Sequence, residues 1–448
     1  SDPVGDRVMP VANKHRPGAG GVASALALLS ALSLAGCLGG EAPASRSATG
    51  PAFVAPTLDR KGAVQSELIG ALSARRSVLP AGSAYDRVAA SVLAAGSGAA
   101  ESELRVKRLT ARAKSKNWLP SIGSNVSLSS LGSLAASLLL DQTILDNGRR
   151  KAERAWSAAD VEVAAVHLAI DLNQRVYDGL KLYIEAQRAA ELAGISETAL
   201  VRMRDFDRIM GIRVEGGLSD GSEYRIIAQK VAELEATLSQ EREAVTTARA
   251  ELAAMSQGGL DGLKGLSALP PDGGAPEPLN VLLARGEAAR ATAEIGMARA
   301  GLMPGFGAQA SVDKSGDVTG GLLLDGEGLG FGRKDNLRAL EEADGSALRR
   351  IDEAQETADR RMVALQREIA SLTAQEAQQA RVLGQMEVNL NLFTEQYKAG
   401  GRTLIELVGQ FESLVRARRD HASLKYQIAV ARLQIARERG VLVDGAVM

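Results

Sequence analysis

Two stretches of the chain alternate apolar and polar residues with period two, and each is followed by a long run of helical character. In the first, Ile122, Val126 and Leu128 share one side of an extended segment, with Gly123, Asn125, Ser127 and Ser129 on the other. After a turn near Leu131-Gly132-Ser133 the apolar side resumes at Leu134, Ala136, Leu138 and Leu140. In the second, Phe306, Ala308, Ala310 and Val312 alternate with Gly307, Gln309, Ser311 and Asp313. A Ser315-Gly316-Asp317 turn then leads to Val318, Leu322 and Leu324. Such alternation predicts β-hairpins with one apolar and one polar face. Each strand is about the length, roughly 9–11 residues, that a tilted membrane-spanning strand needs.

The segments after the hairpins carry a helical pattern. From Arg149 to about Met210 there is no proline, and such a helix would be on the order of 90 Å long. From Arg333 to Lys398 the stripe Leu365, Ile369, Leu372, Glu376, Gln379, Leu383, Met386, Leu390, Phe393, Tyr397 steps by four and three, a heptad seam. Helices of this kind need neighbours along their length. Each ends at a glycine turn and a second helix returns. Thr403-Leu404-Ile405-Glu406 is a capping box, and Asp220-Gly221-Ser222-Glu223 is its weaker counterpart.

These segments form a duplication. Pro120 and Pro304, Gly148 and Gly332, and Gly216 and Gly400 are each 184 positions apart (304 − 120, 332 − 148, 400 − 216), and Leu138–Asp141 recurs as Leu322–Asp325 at the same offset. The predicted organisation is a first repeat over 57–256 with a hairpin at about 121–146, a Gly/Pro-rich linker over 257–278, a second repeat over 279–440 with a hairpin at about 305–330, and a C-terminal tail over 441–448. Four strands cannot close a barrel, and lipid does not tolerate open edges. If these strands span a bilayer the chain must oligomerise, and three copies would supply twelve strands.

Composition narrows the function classes. Formal net charge is −1 and aromatics are 3%, so no strong field points to nucleic acid. The three histidines show no ligand spacing, and no phosphate loop, nucleophile elbow or metal motif is present. The reading is not an enzyme, with no cofactor and no metal. The single cysteine excludes an intramolecular disulfide. It closes a basic-then-apolar leader: Lys14, His15 and Arg16 precede a small-residue apolar run that ends in Leu34-Ala35-Gly36-Cys37. That ending resembles a bacterial lipobox. The expectation is a signal peptide over 1–36, an acylated Cys37, and a Gly/Ala/Pro/Ser-rich tether over 37–56.

Trp118-Leu119-Pro120, Leu145-Asp146-Asn147-Gly148-Arg149-Arg150 and Tyr397-Lys398-Ala399-Gly400-Gly401-Arg402-Thr403-Leu404-Ile405-Glu406-Leu407 resemble the TolC-like outer membrane efflux proteins, in their lipoprotein form. The resemblance implies a mainly α fold of two helix, β-hairpin, helix repeats. In a homotrimer these would make a twelve-stranded outer-membrane β-barrel continued by a long periplasmic α-helical barrel. It implies a passive duct in a Gram-negative outer membrane. The duct would dock on a periplasmic adaptor and an inner-membrane pump and export small molecules or, as in type I secretion, proteins. It implies gate residues at Tyr397, Arg402 and Glu406, with Gly409 where some members carry a second carboxylate. It also implies adaptor contacts at the turns Gly216-Gly217-Leu218-Ser219 and Gly400-Gly401-Arg402-Thr403. Of the aromatics that girdle such barrels, only Trp118, Phe306 and Phe331 are available. The competing reading is a periplasmic adaptor or coiled-coil scaffold lipoprotein. An adaptor would have one helical hairpin between compact β domains, whereas here two copies each begin with a β-hairpin.

Overall fold

The computed structural model describes residues 55–59, 62–128, 134–269, 276–313, 315–325 and 332–447. The signal peptide, Cys37, almost all of the tether, the turn at 131–133 and Phe331 lie outside the described residues.

Two small strands, β1 (Thr57–Leu58) and β2 (Val64–Gln65), lead into helices α1 (Glu67–Ser73), α2 (Ala84–Ala94) and α3 (Ala99–Lys114). Then β3 (Ser121–Leu128), β4 (Leu134–Leu145), α4 (Arg149–Glu215) and α5 (Gly221–Ala254) complete the first copy. The second copy is α6 (Leu279–Gly301), β5 (Gly305–Asp313), β6 (Val318–Asp325), α7 (Arg333–Lys398) and α8 (Leu404–Glu438). The first strands start at 121 and 305 and the long helices at 149 and 333, so the offset of 184 carries into the elements; the returning helices start at 221 and 404, an offset of 183.

The long helices start where the chain is forced to turn. Before α4, Asn147 (φ 52°) and Gly148 (φ 89°) adopt left-handed conformations. The Asp146 carboxylate accepts from the Gly148 amide at 3.0 Å and from the Arg150 amide at 2.9 Å, occupying free N–H groups of the first turn. α4 has 67 residues, about 100 Å of helix. Its first half is buried nearly all round, from Ser157 to Val166, because α2, α3, α6 and α8 pack around it. Asp160 ties two of those neighbours together: Lys107 of α3 reaches it at 2.9 Å and Arg290 of α6 at 3.2 Å. The α7 stripe turns toward α8. Leu365 and Leu390 are buried, the rest of the stripe is half-buried, and the residues between are exposed.

The apolar interior forms two main clusters. A collar core gathers α1, α2, the first half of α4, the end of α8 and Val441–Val443. A tip core gathers Met203, Phe206 and Met210 of α4 with Leu404, Leu407, Phe411 and Leu414 of α8 and Leu390 of α7. The segment joining the repeats is seated against the collar. Leu260, Leu263, Leu266 and Leu269 recur every third residue and pack on the core. The Tyr183 hydroxyl donates to the Gly265 carbonyl at 2.9 Å, and the Gly265 amide donates to Gln187 at 3.1 Å. Residues 441–445 are seated there too, with 446 and 447 exposed.

A buried carboxylate makes the collar sensitive to pH. Glu162 is 3% exposed and accepts from the Ser66 hydroxyl, which itself caps α1 by accepting from the Ile69 amide. Burial pushes the Glu162 carboxyl up to about 7, against a smaller opposing effect of the Ser66 hydrogen bond. In the unfolded chain it ionises near 4.5. Between those values the folded state holds the proton and the unfolded state does not. Stability therefore falls as pH rises from about 4.5 to about 7, and the loss persists above it. Glu162→Gln keeps an acceptor for Ser66 and removes the titration. The expected result is a gain on the order of 2 kcal/mol at pH 8 and little change at pH 4.5, read from thermal melts of both proteins at the two pH values. Parallel melting curves across this range would contradict it.

Candidate functional site

The four main strands form one antiparallel sheet in the order β3-β4-β5-β6. β4 pairs with β5, so the two hairpins join through their inner strands and leave β3 and β6 as edges. The register decides the faces. Ile122 lies opposite Leu140, Leu140 opposite Ala310, Leu138 opposite Val312, and Val312 opposite Val318. Ala308 lies opposite Leu322, and Phe306 opposite both Leu145 and Leu324. Directly opposed residues share a face, so the apolar residues of both hairpins lie on one surface, interrupted by Ser124 opposite Leu138 and Gln142 opposite Ala308. The other face carries Ser121, Gly123, Asp141, Thr143, Gln309, Ser311 and Thr319, together with Leu139 and Leu323.

Within the single chain this apolar surface is uncovered. Ile122 is 71% exposed, Val318 72%, Leu322 79% and Leu324 70%. A patch of this extent marks an interaction site. Among the described residues no helix is long and apolar enough to cross a membrane. A cavity of about 1190 Å³ opens where the sheet meets the helices, and Asp141, Thr143, Arg150, Glu153 and Asn336 are among the residues lining it. Asp141 and Thr143 belong to the polar face of the sheet.

The opposite ends of the long helices hold the other predicted residues. Both turns are Schellman motifs. Gly217 (φ 71°) and Gly400 (φ 78°) supply the left-handed residue. The Leu218 amide donates to the Arg213 carbonyl and the Gly401 amide to the Gln396 carbonyl, each at 2.8 Å. Arg213 Nε also reaches Ser219 Oγ at 3.1 Å, and Leu218 stands 71% exposed at the apex. Thr403 starts α8 with the complete capping box: the Glu406 amide donates to Thr403 Oγ1, and the Thr403 amide donates to Glu406 Oε2 at 2.9 Å. At the first turn Asp220 caps α5 alone, accepting from the Ser222 amide at 3.2 Å.

Arg402 and Glu406 are brought together, with Arg402 Nη1 3.0 Å from Glu406 Oε1. Arg402 Nε donates to Gln396 at 3.2 Å, and its guanidinium sits 4.8 Å from the centre of the Phe393 ring. The Thr403 amide and the Arg402 guanidinium hold the Glu406 carboxyl below its usual range. Tyr397 is separate from this group and packs against the tip core. The pair thus bridges the end of α7 to the start of α8 within one hairpin. Gly409 lies on α8 with open space where a side chain would be.

Sequence reasoning missed Arg202. Its guanidinium lies 5.7 Å from the Phe206 ring and 5.4 Å from the Phe411 ring, and those two rings meet edge to face at 5.6 Å. Phe206 and Arg202 are four apart on α4, a spacing that signals a helical pair, but nothing local places Phe411 beside them. Among the described residues no cluster of His, Cys, Asp and Glu is placed to hold a metal ion.

No family model matches the sequence, and no curated protein matches it. Solved structures do match in fold. A membrane protein from Pseudomonas aeruginosa superposes with a TM-score of 0.73 at 16% identity, covering 90% of this chain and 98% of that one. The outer membrane protein VceC from Vibrio cholerae gives 0.67 at 16% identity, covering 80% and 96%. The MtrE outer membrane channel of Neisseria gonorrhoeae gives 0.62 at 16% identity, covering 90% and 99%. The chain shares the fold of the TolC-like outer-membrane efflux channels.

Proposed function

We propose that this chain is one subunit of a TolC-like outer-membrane efflux channel in lipoprotein form. The observation that carries the reading is the sheet: four strands with one largely apolar face and edges at β3 and β6, on helices none of which, among the described residues, is long and apolar enough to cross a membrane. Backbone groups on β3 and β6 need partners in a bilayer, and a second copy offers the complementary edge. Repeating that contact by rotation closes a ring. Three copies give twelve strands, with the apolar faces outward to lipid and the polar faces lining a duct. The long helices continue the duct into the periplasm, where the glycine turns meet a periplasmic adaptor and, through it, an inner-membrane pump. The duct passes small molecules or proteins and performs no chemistry of its own. Acylated Cys37 would add an anchor in a Gram-negative outer membrane.

Reconstitution tests the reading. Protein purified from outer membranes is expected to run as a trimer and to conduct in planar bilayers. In the closed state the Arg402 contacts hold each second-copy tip together. Arg402→Ala loses an exposed ion pair and a ring contact, both weak in water, while the capping box on Glu406 remains. The open fraction is expected to rise severalfold. A monomer that conducts neither as wild type nor as Arg402→Ala would overturn the channel reading. Wild-type conductance with no change in Arg402→Ala would remove Arg402 alone from the gate.

A further inference from the structure

The collar core and the tip core do not meet. On α4 the first ends at Ile184 and the second begins at Ala199. Among residues 185–198 the buried side chains are Ala186, Ala189, Leu192 and Ser196, mostly small. Leu238 of α5 and Ala422 and Leu424 of α8 are also buried here, but ion pairs and side-chain hydrogen bonds link the helices across the layer. Arg419 of α8 pairs with Glu241 of α5, which is only 7% exposed. On either side, Glu191 of α4 receives Lys425 at 2.7 Å and the Tyr426 hydroxyl. Arg242 meets Glu197 at 3.0 Å and Arg418 meets Glu387 at 2.6 Å. Three buried atoms in the layer have no hydrogen-bond partner: Ser196 Oγ, Glu241 Oε2 and Arg419 Nε.

Each feature weakens resistance to bending. Interdigitated apolar side chains lock helices against sliding, and no residue of 185–198 or 235–245 belongs to either core. A buried ion pair adds little net stability over an apolar pair of similar volume, but it fixes which residues meet. Unpaired buried polar atoms raise the free energy of the observed arrangement, which narrows the gap to arrangements that pair them.

We propose that the layer of Ser196, Glu241 and Arg419 is a hinge, about which the tip half of the α4, α5 and α8 bundle swings against the collar half. The Glu241–Arg419 pair acts as its pin, linking α5 to α8 while the helices pivot. The hinge rests on the channel reading only for what the swing accomplishes, namely movement of the turns that close the duct.

Hydrogen exchange on the full-length protein in detergent tests the hinge whether or not the protein conducts. Glu241→Leu combined with Arg419→Met fills the layer with apolar side chains. Exchange in 185–199, 235–245 and 416–425 is expected to slow roughly tenfold, with collar peptides at 158–180 unchanged. The reversed pair, Glu241→Arg with Arg419→Glu, keeps a polar pin and is expected to exchange like wild type. Should the apolar pair fail to fold, Ser196→Ala serves in its place; it removes an unpartnered hydroxyl and is expected to slow the same peptides about threefold. Exchange unchanged in the apolar pair, or slowed equally in the collar, would overturn the hinge. In bilayers the apolar pair is expected to open severalfold less often than wild type. Slowed exchange with no conductance in any variant would leave the hinge standing and count against the channel.

Discussion

Arginine at both Leu322 and Leu324 is expected to stop the chain from accumulating as a trimer in the outer membrane. Both residues lie on edge strand β6, on the apolar face, and are 79% and 70% exposed. An arginine on the lipid face near the bilayer midplane costs roughly 2–4 kcal/mol. With two per subunit and three subunits the total is on the order of 12–24 kcal/mol at midplane depth and less toward the strand ends, comparable with the whole stability of a folded domain. Among the described residues none of β3, β4, β5 or β6 belongs to the collar core or the tip core, so the helical part is expected to keep its far-ultraviolet circular dichroism. Leu323 supplies the control. It sits between the two and lies opposite Gly307 on the other face, so Leu323→Arg is expected to insert and assemble. Membrane fractionation and unheated gel mobility read both outcomes. Normal insertion of the double arginine variant would remove the apolar face as the lipid-facing surface.

Much of this fold was legible because its signals are local. Period-two alternation at Phe306–Val312 identified a strand, and the stripe from Leu365 to Tyr397 identified the side of α7 that faces α8. The constant offset showed that the second hairpin repeats the first. Which strands would be edges was not legible. That follows from the pairing of β4 with β5, residues more than 160 positions apart, and alternation says nothing about partners. The segment at 257–269 was read as part of a linker because glycines dominate it. Its leucines recur every third residue, a period that matches neither helix nor strand, and their docking onto Tyr183 and Gln187 is a tertiary fact. At the tip, the capping box was visible as Thr403 and Glu406, and their hydrogen bonds follow from spacing. The stacking of Arg402 on Phe393 and of Arg202 between two rings depends on helices packing, which no local pattern encodes.

Gly445→Val is expected to release the C-terminal segment and destabilise the collar by roughly 5–12 kcal/mol. A Cβ at this position would stand 2.1 Å from the Leu72 carbonyl oxygen. That neighbour is backbone in α1 and cannot rotate away. The segment would lift, although its other attachments are many: Val78 and Ser77 amides donate to the Val441 carbonyl at 2.8 Å and to Asp444 at 3.0 Å, and the Leu442 amide donates to Asn173 at 2.9 Å. Lifting exposes Val441, Leu442 and Val443, now 6%, 1% and 2% exposed, at about 1.5–3 kcal/mol for each side chain. It also leaves Oδ1 of Asn173, wholly buried on α4, without the Leu442 donor, at a further 1–3 kcal/mol or so. Arg75 deepens the coupling. Its buried guanidinium, lowered by desolvation to about 10 and still charged at neutral pH, donates to the carbonyls of Arg439 and Glu277, the latter at 2.8 Å. One side chain thus joins α1, the end of α8 and the entry to α6, so a lifted segment loosens both repeats at their shared collar. Carboxypeptidase trimming and a lowered melting temperature are the expected readouts, with the exposed neighbour Ala446→Val behaving as wild type. Equal resistance to carboxypeptidase in Gly445→Val and wild type would show that the segment shifts in place without detaching.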